Sequence, residues 1–593
     1  MCYGETSRRN LGEISCFFRQ ARVLLRACRA NLGIPIEQRP QILRSLTNKE
    51  WPVETRAIPF ATIGSFPTLL TDDRRLILAA SLGTIFEWYD FFLYGSLAVT
   101  ISQQFFSAVD EATGFMFALL AFAAGFVVRP FGAAFFGRLG DLVGRKYTFL
   151  MTMFLMGLAT LSVGLLPGYS RIGIAAPILL ISLRLLQGLA LGGEYGGAAV
   201  YVAEQAPANR RGYYTSWIQA TATLGLLLSL MVILCCRLAT KSAFDVWGWR
   251  IPFWFSSALL AVSLWMRLSM KESRTFLEAK TQGKLSRAPL RELFGKKENL
   301  RKLLVAFGGM VAGMTVVWYT AQFYALFFLI QSLRVEPMTA NLLVGAALVL
   351  GSPFFILCGL LSDRIGRKPV MLAGMLAAAL TLIPLFKGIT HYANPQLATA
   401  ARANPVVVAA DPRTCGFQFD PLGQRKNSTD CDKLKALLSK MGVPYTNSTL
   451  PAGSGIEIKV GSTTITGFDA KAIQSALKAA TYPARADPAQ MNIAMIVVLL
   501  TALIVLVTMV YGPLAAALVE MFPTRIRYTA LSIPYHAGVG WLGGLLPTVA
   551  FSIVVATGNM YYGLWYPVIV VSLSFLIGLY YMHETRGHDL QAD

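Results

Sequence analysis

The sequence predicts an all-α membrane protein with twelve transmembrane helices in two six-helix halves and a small α/β insertion between spans 9 and 10. Composition is the first observation behind this fold: of 593 residues, 55% are hydrophobic and only 14% are charged, against roughly 25% in an ordinary soluble domain. The second observation is a series of twelve long apolar runs. The third is a loop motif that occurs once in each half.

The apolar runs have the length of membrane spans. A helix that crosses a bilayer needs about 20 mostly apolar residues, because backbone groups without partners cannot be left in hydrocarbon. Six runs precede a basic stretch at 269–302 and six follow it, which predicts two halves. They lie near residues 76–102, 114–136, 147–167, 173–203, 212–236, 248–268, 303–332, 340–360, 369–388, 491–513, 526–552 and 561–582.

Lysine and arginine fall in short bursts between the spans and give the chain a formal net charge of +21. Basic loops are retained on the cytoplasmic side of a membrane, and the even-numbered connections carry these bursts. Both termini are therefore predicted to be cytoplasmic. Because topology accounts for the charge, we expect no nucleic-acid partner.

These patterns divide the chain into six parts. They are a basic N-terminal extension (1–70), the N-terminal half (71–268), a cytoplasmic linker (269–302), the C-terminal half (303–388 and 491–585), an extracytoplasmic insertion (389–490) and a C-terminal tail (586–593). For the extension, an amphipathic helix on the inner leaflet, disorder and a start codon placed too far upstream are all open. We find no apolar run in it that is long enough for a signal peptide.

The polar insertion predicts a small folded unit. Residues 430–441 and 468–480 have helical patterns, and 455–466 is typical of two short strands. Its two cysteines, Cys415 and Cys431, are expected to form a disulfide on an oxidising face of the membrane. Whether the unit is a cap, a receptor-like domain or a docking site stays open.

A ten-residue loop motif occurs twice. Its first copy, residues 137–146, joins spans 2 and 3, and its second copy, residues 359–368, joins spans 8 and 9. The charged residues in these loops lie at span ends and are predicted to hold the cytoplasmic ends together in one state and to release them in another. Fixing the topology is the alternative role for the basic ones. The candidates for this gate are Asp141, Arg145, Lys146, Asp363, Arg367 and Lys368.

The doubled loop and the twelve spans resemble the major facilitator superfamily, whose two halves are related by pseudo-symmetry. Four further strings, at 87–95, 129–130, 192–197 and 522–525, resemble its metabolite:proton symporter branch. That branch includes transporters of osmoprotectants, 2-oxoglutarate, citrate and shikimate. Span 5 lacks the glycine- and proline-rich string associated with antiport in this superfamily, which favours symport.

Charged side chains inside spans are expensive to insert and are functional candidates by default. Glu87, Asp90 and Tyr94 lie on one face of span 1, because their spacing matches the helical repeat. We predict that Glu87, Asp90 or Glu194 carries the coupled proton, and that Arg129 or Arg184 attracts an anionic group. A structural ion pair between Arg184 and Glu194 is the alternative.

Other polar and aromatic residues in the spans are candidates for contact with the solute. Packing in the core or at the membrane interface is the alternative role for each aromatic side chain. The candidates are Tyr94, Gln187, Trp318, Gln322 and Tyr324.

The resemblance and these residues together predict proton-coupled symport of a small organic metabolite, most simply a carboxylate, by alternating access. A zwitterionic osmoprotectant such as betaine or proline is an alternative substrate, and a transporter-like nutrient sensor is an alternative function. The expected location is a bacterial inner membrane, and the expected partners are the solute, protons and the bilayer, with a monomeric chain. No metal cluster or nucleophile–base pair is apparent, so we expect neither a metal, a cofactor nor an enzyme.

Overall fold

The computed structural model describes residues 84–590, except 87, 91, 109–110, 269–271, 412, 414, 416–428 and 452. Nine helices in this part of the chain are long and apolar enough to cross a membrane. They run from Arg145 to Leu165, Ala175 to Gln205, Arg211 to Ala243, Lys297 to Ser332, Pro337 to Ile365, Arg367 to Ala393, Ile493 to Met521, Arg527 to Thr557 and Tyr562 to Tyr581. Each of the nine overlaps a predicted span.

The predicted spans 1, 2 and 6 are also helical where they are described. Span 1 is helical at 84–86, 88–90 and 92–96 and continues as Ala98–Phe105. Span 2 consists of two helices, Glu111–Val127 and Arg129–Leu142, because Pro130 starts a new helix in its first turn. Span 6 is the helix Ile251–Leu268.

In the second half, span 7 contains three π-helical segments, Phe307–Val311, Thr320–Tyr324 and Phe328–Ser332. Span 11 contains another, Gly538–Gly543, between the helices Arg527–Ala537 and Leu546–Thr557. Wide turns of this kind are frequent at functional positions. Hydropathy does not reveal them, because it reports span length and not the winding of the helix.

The linker and span 9 differ from the predicted boundaries. Two short helices, Arg274–Thr281 and Pro289–Gly295, form in the linker, and the first helix of span 7 begins at Lys297. Span 9 continues to Ala393 and not to 388, because Ile389 and Ala393 extend its buried face.

The insertion contains a four-stranded sheet and three helices. The strands are β1 (Val406–Ala410), β2 (Thr446–Thr449), β3 (Glu457–Val460) and β4 (Thr463–Thr466), in the order β2-β1-β3-β4. β1 pairs in parallel with β2, and the other pairs are antiparallel. The helices are Pro395–Ala403, Asp430–Lys440 and Ala470–Ala479.

The last two helices and the β3–β4 hairpin lie where the sequence pattern places them. β1 and β2 do not appear in the sequence prediction. Neither alternates between apolar and polar residues, since β1 is a continuous apolar run and β2 is polar throughout. These two segments form strands because they pair with neighbouring strands, and not because of a local sequence pattern.

A disulfide joins Cys415 to Cys431, with their Cα atoms 5.4 Å apart. It connects the chain after β1 to the first turn of the helix Asp430–Lys440, where Cys431 is fully buried. In the chain-entropy model a loop of about 15 residues contributes roughly 3 kcal/mol.

We therefore expect the substitution Cys415→Ser to make local opening of the insertion more than about a hundredfold more frequent. Limited proteolysis of the full-length protein, with the fragments identified by mass, measures this opening. Cys235→Ser, at an exposed free cysteine of span 5, is the control. Equal cleavage rates in the insertion of both variants would show that the disulfide does not stabilise it.

Candidate functional site: a buried charge cluster and paired loop contacts

Small residues let span 4 lie directly against span 2. A Cβ atom added to Gly188 would lie 2.1 Å from the carbonyl oxygen of Gly125, and one added to Gly132 would lie 2.1 Å from that of Leu189. Only glycine permits such close backbone contact. The crossing places the Arg129 region of span 2 beside the polar side chains of span 4.

Two of the three candidate proton carriers come together inside the N-terminal half. Asp90 and Glu194 are both buried and line one small crevice with Ser256 of span 6. Asp90 interacts electrostatically with Glu194 and Arg184 and lies near the hydroxyls of Thr160 and Ser256, which donate to the backbone carbonyls of Met156 and Phe253. Glu87, the third candidate, lies outside the described residues.

Arg184 is held by neighbours within the same half. Its guanidinium lies 4.1 Å from the centre of the Tyr94 ring, and its Nη1 donates to Gln187 Oε1 at 2.6 Å. Gln187 Nε2 in turn donates to Thr160 Oγ1 at 2.8 Å. Since Thr160 also lies near Asp90, one polar cluster contains the candidate cation Arg184 and the candidate acid Asp90.

Arg129 lies at the boundary between the two halves. It is buried, and its guanidinium lies 4.3 Å from the centre of the Phe126 ring. It interacts electrostatically with Tyr319 of span 7 and with His536 of span 11. Neither ring nitrogen of the buried His536 has a hydrogen-bond partner among the described residues. A cation and an imidazole from opposite halves thus lie near each other.

Two aromatic layers connect the halves. Tyr195 of span 4 stacks on Tyr535 of span 11 with ring centres 3.6 Å apart and planes 9° apart, and the hydroxyls of Tyr511 and Tyr535 lie 2.6 Å apart. In the second layer, Trp88 of span 1 lies 5.6 Å from Trp318 of span 7, measured between ring centres.

The other solute candidates of span 7 differ in their surroundings. Gln322 is buried. Tyr324 packs against Phe328, Phe386 and Phe551, which all belong to the C-terminal half. These contacts favour the packing role for Tyr324 over contact with a solute between the halves.

Asp141, in the first loop motif, receives hydrogen bonds from the C-terminal half. The backbone N–H groups of Tyr528 and Thr529 donate to it at 3.1 and 2.9 Å, and Thr529 Oγ1 donates at 2.7 Å. Arg145 Nη1 lies 2.8 Å from the same carboxylate. Asp141 therefore stabilises the N-terminus of the helix Arg527–Ala537, as an anion at a helix start does.

Asp363, in the second copy, makes the reciprocal contact. The N–H groups of Gly212 and Tyr213 donate to it at 2.9 and 2.7 Å, at the start of the helix Arg211–Thr240 in the N-terminal half. Arg367 Nη1 lies 2.6 Å from it. Each half thus places a carboxylate on a helix start of the other half.

A second pair of carboxylates lies behind the first. Glu204 accepts from Arg527 of the opposite half at 2.8 Å, and Glu520 pairs with Arg367 at 3.2 Å and with Arg211 of the opposite half at 3.6 Å. All of these side chains are nearly or fully buried. Breaking a buried pair by removing one partner is strongly destabilising.

Comparisons with known proteins identify the family of this chain. A model of the family described as sugar (and other) transporter matches residues 76–303 and 463–592. The shikimate transporter of Escherichia coli is 37% identical over 328 residues, which cover 54% of this chain and 73% of that protein. The chain belongs to this transporter family, in the metabolite:proton symporter branch of the major facilitator superfamily.

Two further relatives of this facilitator have different named solutes. The alpha-ketoglutarate permease of Escherichia coli is 34% identical and covers 55% of this chain and 75% of that protein. The glycine betaine/proline/ectoine/pipecolic acid transporter OusA of Dickeya dadantii is 29% identical over an alignment that covers 88% of this chain and 86% of that protein. Among solved structures, the proton:xylose symporter XylE superposes with a TM-score of 0.57 at 17% identity, covering 88% of this chain and 98% of that chain. The facilitator fold is shared.

The paired loops also contact carboxylates that the sequence prediction leaves out. Glu272 accepts from the N–H groups of Arg145 and Lys146, and Glu584 accepts from those of Arg367 and Lys368. A repeat reveals them: Glu-Ser-Arg at 272–274 follows span 6, and Glu-Thr-Arg at 584–586 follows span 12. The two lysines bond backbone carbonyls of Leu268 and Leu579, at 2.9 and 2.8 Å.

The linker and the tail contact the residues next to the paired loops. Arg525 Nε lies 2.7 Å from Glu292 Oε1 of a linker helix. Although burial acts in the opposite direction, hydrogen bonds from Lys296 and Ser286 and the Arg525 charge hold the pKa of Glu292 below its usual value. In the tail, the carbonyl of His588 accepts from Arg211 at 2.6 Å.

Proposed function

We propose that this facilitator is a proton-coupled symporter of a small organic carboxylate. It works by alternating access in a bacterial inner membrane, with twelve spans in two pseudo-symmetric halves, the insertion outside and both termini in the cytoplasm. The observation that carries the proposal is Arg129, a buried cation at the boundary between the halves whose charge reaches His536. A charged group in this position has a high insertion cost, which substrate recognition explains.

A carboxylate is the ligand that fits a buried guanidinium, because charge-assisted hydrogen bonds to Arg are strong and can be bidentate. The names of two relatives, the shikimate transporter and the alpha-ketoglutarate permease, support a carboxylate. His536 supplies a second polar contact from the opposite half. A solute that binds between the halves contacts both of them and so favours their closure around it.

A zwitterionic osmoprotectant is the second candidate. The relative OusA is named for betaine and proline. Quaternary ammonium groups bind over aromatic faces, and the Trp88–Trp318 layer offers such faces close to the boundary between the halves. In that case Arg129 would bind the carboxylate of the zwitterion and the two indole rings its ammonium group.

The coupling part of the proposal rests on the network around Asp90. Its carboxyl and that of Glu194 lie near each other and near Arg184. A proton on one acid weakens its attraction for the arginine. We propose that this change alters the contact of span 1 with span 4 and so links protonation to the movement of the halves.

Uptake by Arg129→Gln in proteoliposomes tests the carboxylate site. Hydrogen bonds to charged groups contribute about 1.5–3 kcal/mol, so we expect the KM for the carboxylate substrate to rise by roughly 10- to 150-fold. The panel contains shikimate, 2-oxoglutarate, citrate, betaine and proline, with an imposed pH gradient. Arg129→Lys keeps the charge and is expected to lose less.

Arg171→Gln, at an exposed arginine between spans 3 and 4, is the matched control and should transport as the parent does. An unchanged KM in Arg129→Gln would remove Arg129 from the solute site. Transport of betaine and proline without any of the three acids would replace the first candidate by the second.

A further inference from the structure

The insertion is firmly attached to the end of span 11. The N–H of Tyr445 donates to Gly558 O at 3.0 Å, its hydroxyl donates to Val555 O at 2.5 Å, and Asn447 Nδ2 donates to Thr557 O at 3.1 Å. Gly558 has a φ of +76°, and a Cβ there would lie 2.3 Å from Tyr445 O. The contact surface is thus fixed and requires glycine at this position.

A cavity of ≈ 390 Å³ lies where the insertion meets span 9 and the segment that follows span 11. This volume is in the range of small-molecule sites. The lining includes four apolar or aromatic side chains that are almost fully buried and form the floor of the cavity: Leu397, Val406, Tyr445 and Met560.

The polar part of the lining is basic. Lys387, His391 and Arg402 line the cavity, and its lining includes no Asp or Glu. In the described part of the chain, neither Lys387 nor Arg402 pairs with a carboxylate. Lys387 Nζ lies 5.9 Å from the centre of the Tyr561 ring, and the charge of Arg402 also reaches Tyr561. Cations that converge without a counterion attract an anion.

This cavity is separate from the paired loop contacts and from the region of Arg129 and His536. Lys387 and Arg367 lie in the same helix, twenty residues apart, which corresponds to about 30 Å at 1.5 Å per residue. The cavity therefore lies at the opposite end of span 9 from the gate. Arg129 and His536 contribute nothing to its lining.

We propose that the cavity is a binding site for an organic anion with one carboxylate or phosphate group and a short apolar body. Arg402 suits bidentate contact with such a group, and Lys387 acts as a point charge beside it. The apolar floor accepts the rest of the molecule. The ligand chemistry is the same for a dissolved organic acid and for the phosphate headgroup of an anionic lipid.

The test measures thermal unfolding of the full-length protein in nanodiscs. Butyrate, which has one carboxylate and a short apolar chain, is added to nanodiscs of phosphatidylcholine, and in a second arm phosphatidylglycerol replaces part of the phosphatidylcholine. The variant is the double substitution Lys387→Gln and Arg402→Gln. The control is Lys459→Gln and Lys478→Gln, two exposed lysines of the insertion that do not line the cavity.

We expect the unfolding midpoint of the parent and the control to rise in at least one arm, and the double variant to need at least tenfold more of the same anion. A rise with butyrate alone identifies a dissolved acid, and a rise with phosphatidylglycerol alone identifies a lipid. A response that survives in the double variant, or none in either arm, overturns the proposal. The titration is repeated with Arg129→Gln, which lacks the cation of the proposed solute site. A response that persists in this variant shows that the anion binds in the cavity, whether or not the proposed transport function is correct.

Discussion

Replacing Asp141 by asparagine is expected to shift the transporter toward a state open to the cytoplasm and to lower solute accumulation at least tenfold. The carboxylate binds two backbone N–H groups and the hydroxyl of Thr529, and pairs with Arg145. An amide keeps part of this geometry but leaves the buried Arg145 with less compensation. Breaking a buried pair costs about 3–5 kcal/mol, and about 3 kcal/mol already shifts a two-state equilibrium by more than a hundredfold.

Hydrogen–deuterium exchange measures this shift without a label. In Asp141→Asn we expect faster exchange at Tyr528 and Thr529, whose N–H groups lose their acceptor whenever the halves separate. In Asp363→Asn the faster exchange should instead appear at Gly212 and Tyr213. Asp469→Asn, at the cap of an insertion helix, should change neither. Unchanged exchange in both gate variants would show that these contacts do not set the conformational equilibrium.

Asp141 and Asp363 illustrate how much of the candidate site can be predicted from the sequence. The doubled loop identifies Asp141 and Asp363, because an internal repeat is visible in the sequence without knowledge of the residues that these carboxylates contact. Their position at span ends predicts that helix N-termini and basic side chains receive these carboxylates. Which helices these are, and that they belong to the opposite half, is not predictable, since the donors are backbone N–H groups that carry no residue signature. Glu204 and Glu520 belong to a second repeat, since Glu-Gln-Ala-Pro at 204–207 follows span 4 and Glu-Met-Phe-Pro at 520–523 follows span 10, but their arginine partners depend on how the halves meet.

The limits of local pattern are clearest in span 7 and the insertion. Hydropathy places span 7 correctly, yet it cannot separate Tyr324, which packs among phenylalanines of its own half, from Trp318, which meets Trp88 of the other half. Both are aromatic residues in one apolar run. Likewise, β2 is wholly polar and becomes a strand only through its pairing with β1.

Asp90→Asn is expected to abolish accumulation driven by a pH gradient, by at least a hundredfold, while exchange of labelled for unlabelled solute persists. A carboxylate buried away from water has a large desolvation cost, which proton uptake removes. Asp90 contacts the hydroxyl network of Thr160 and Ser256 and interacts with both Glu194 and Arg184. An amide retains hydrogen bonding but fixes the neutral state, so the cycle can still carry solute and can no longer carry the proton.

Measuring both activities in the same proteoliposomes separates coupling from binding. Asp90→Asn, Glu194→Gln and Glu87→Gln are compared with Asp411→Asn, a carboxylate of the insertion that is far in sequence from every span acid. Loss of accumulation with retained exchange in one acid variant identifies the proton carrier. Loss of both activities indicates that the acid holds Arg184 or the solute site in place. If all three variants accumulate solute normally under the gradient, then none of these acids couples transport to protons, and the polar network around Asp90 stabilises the packing of spans 1, 3, 4 and 6 instead.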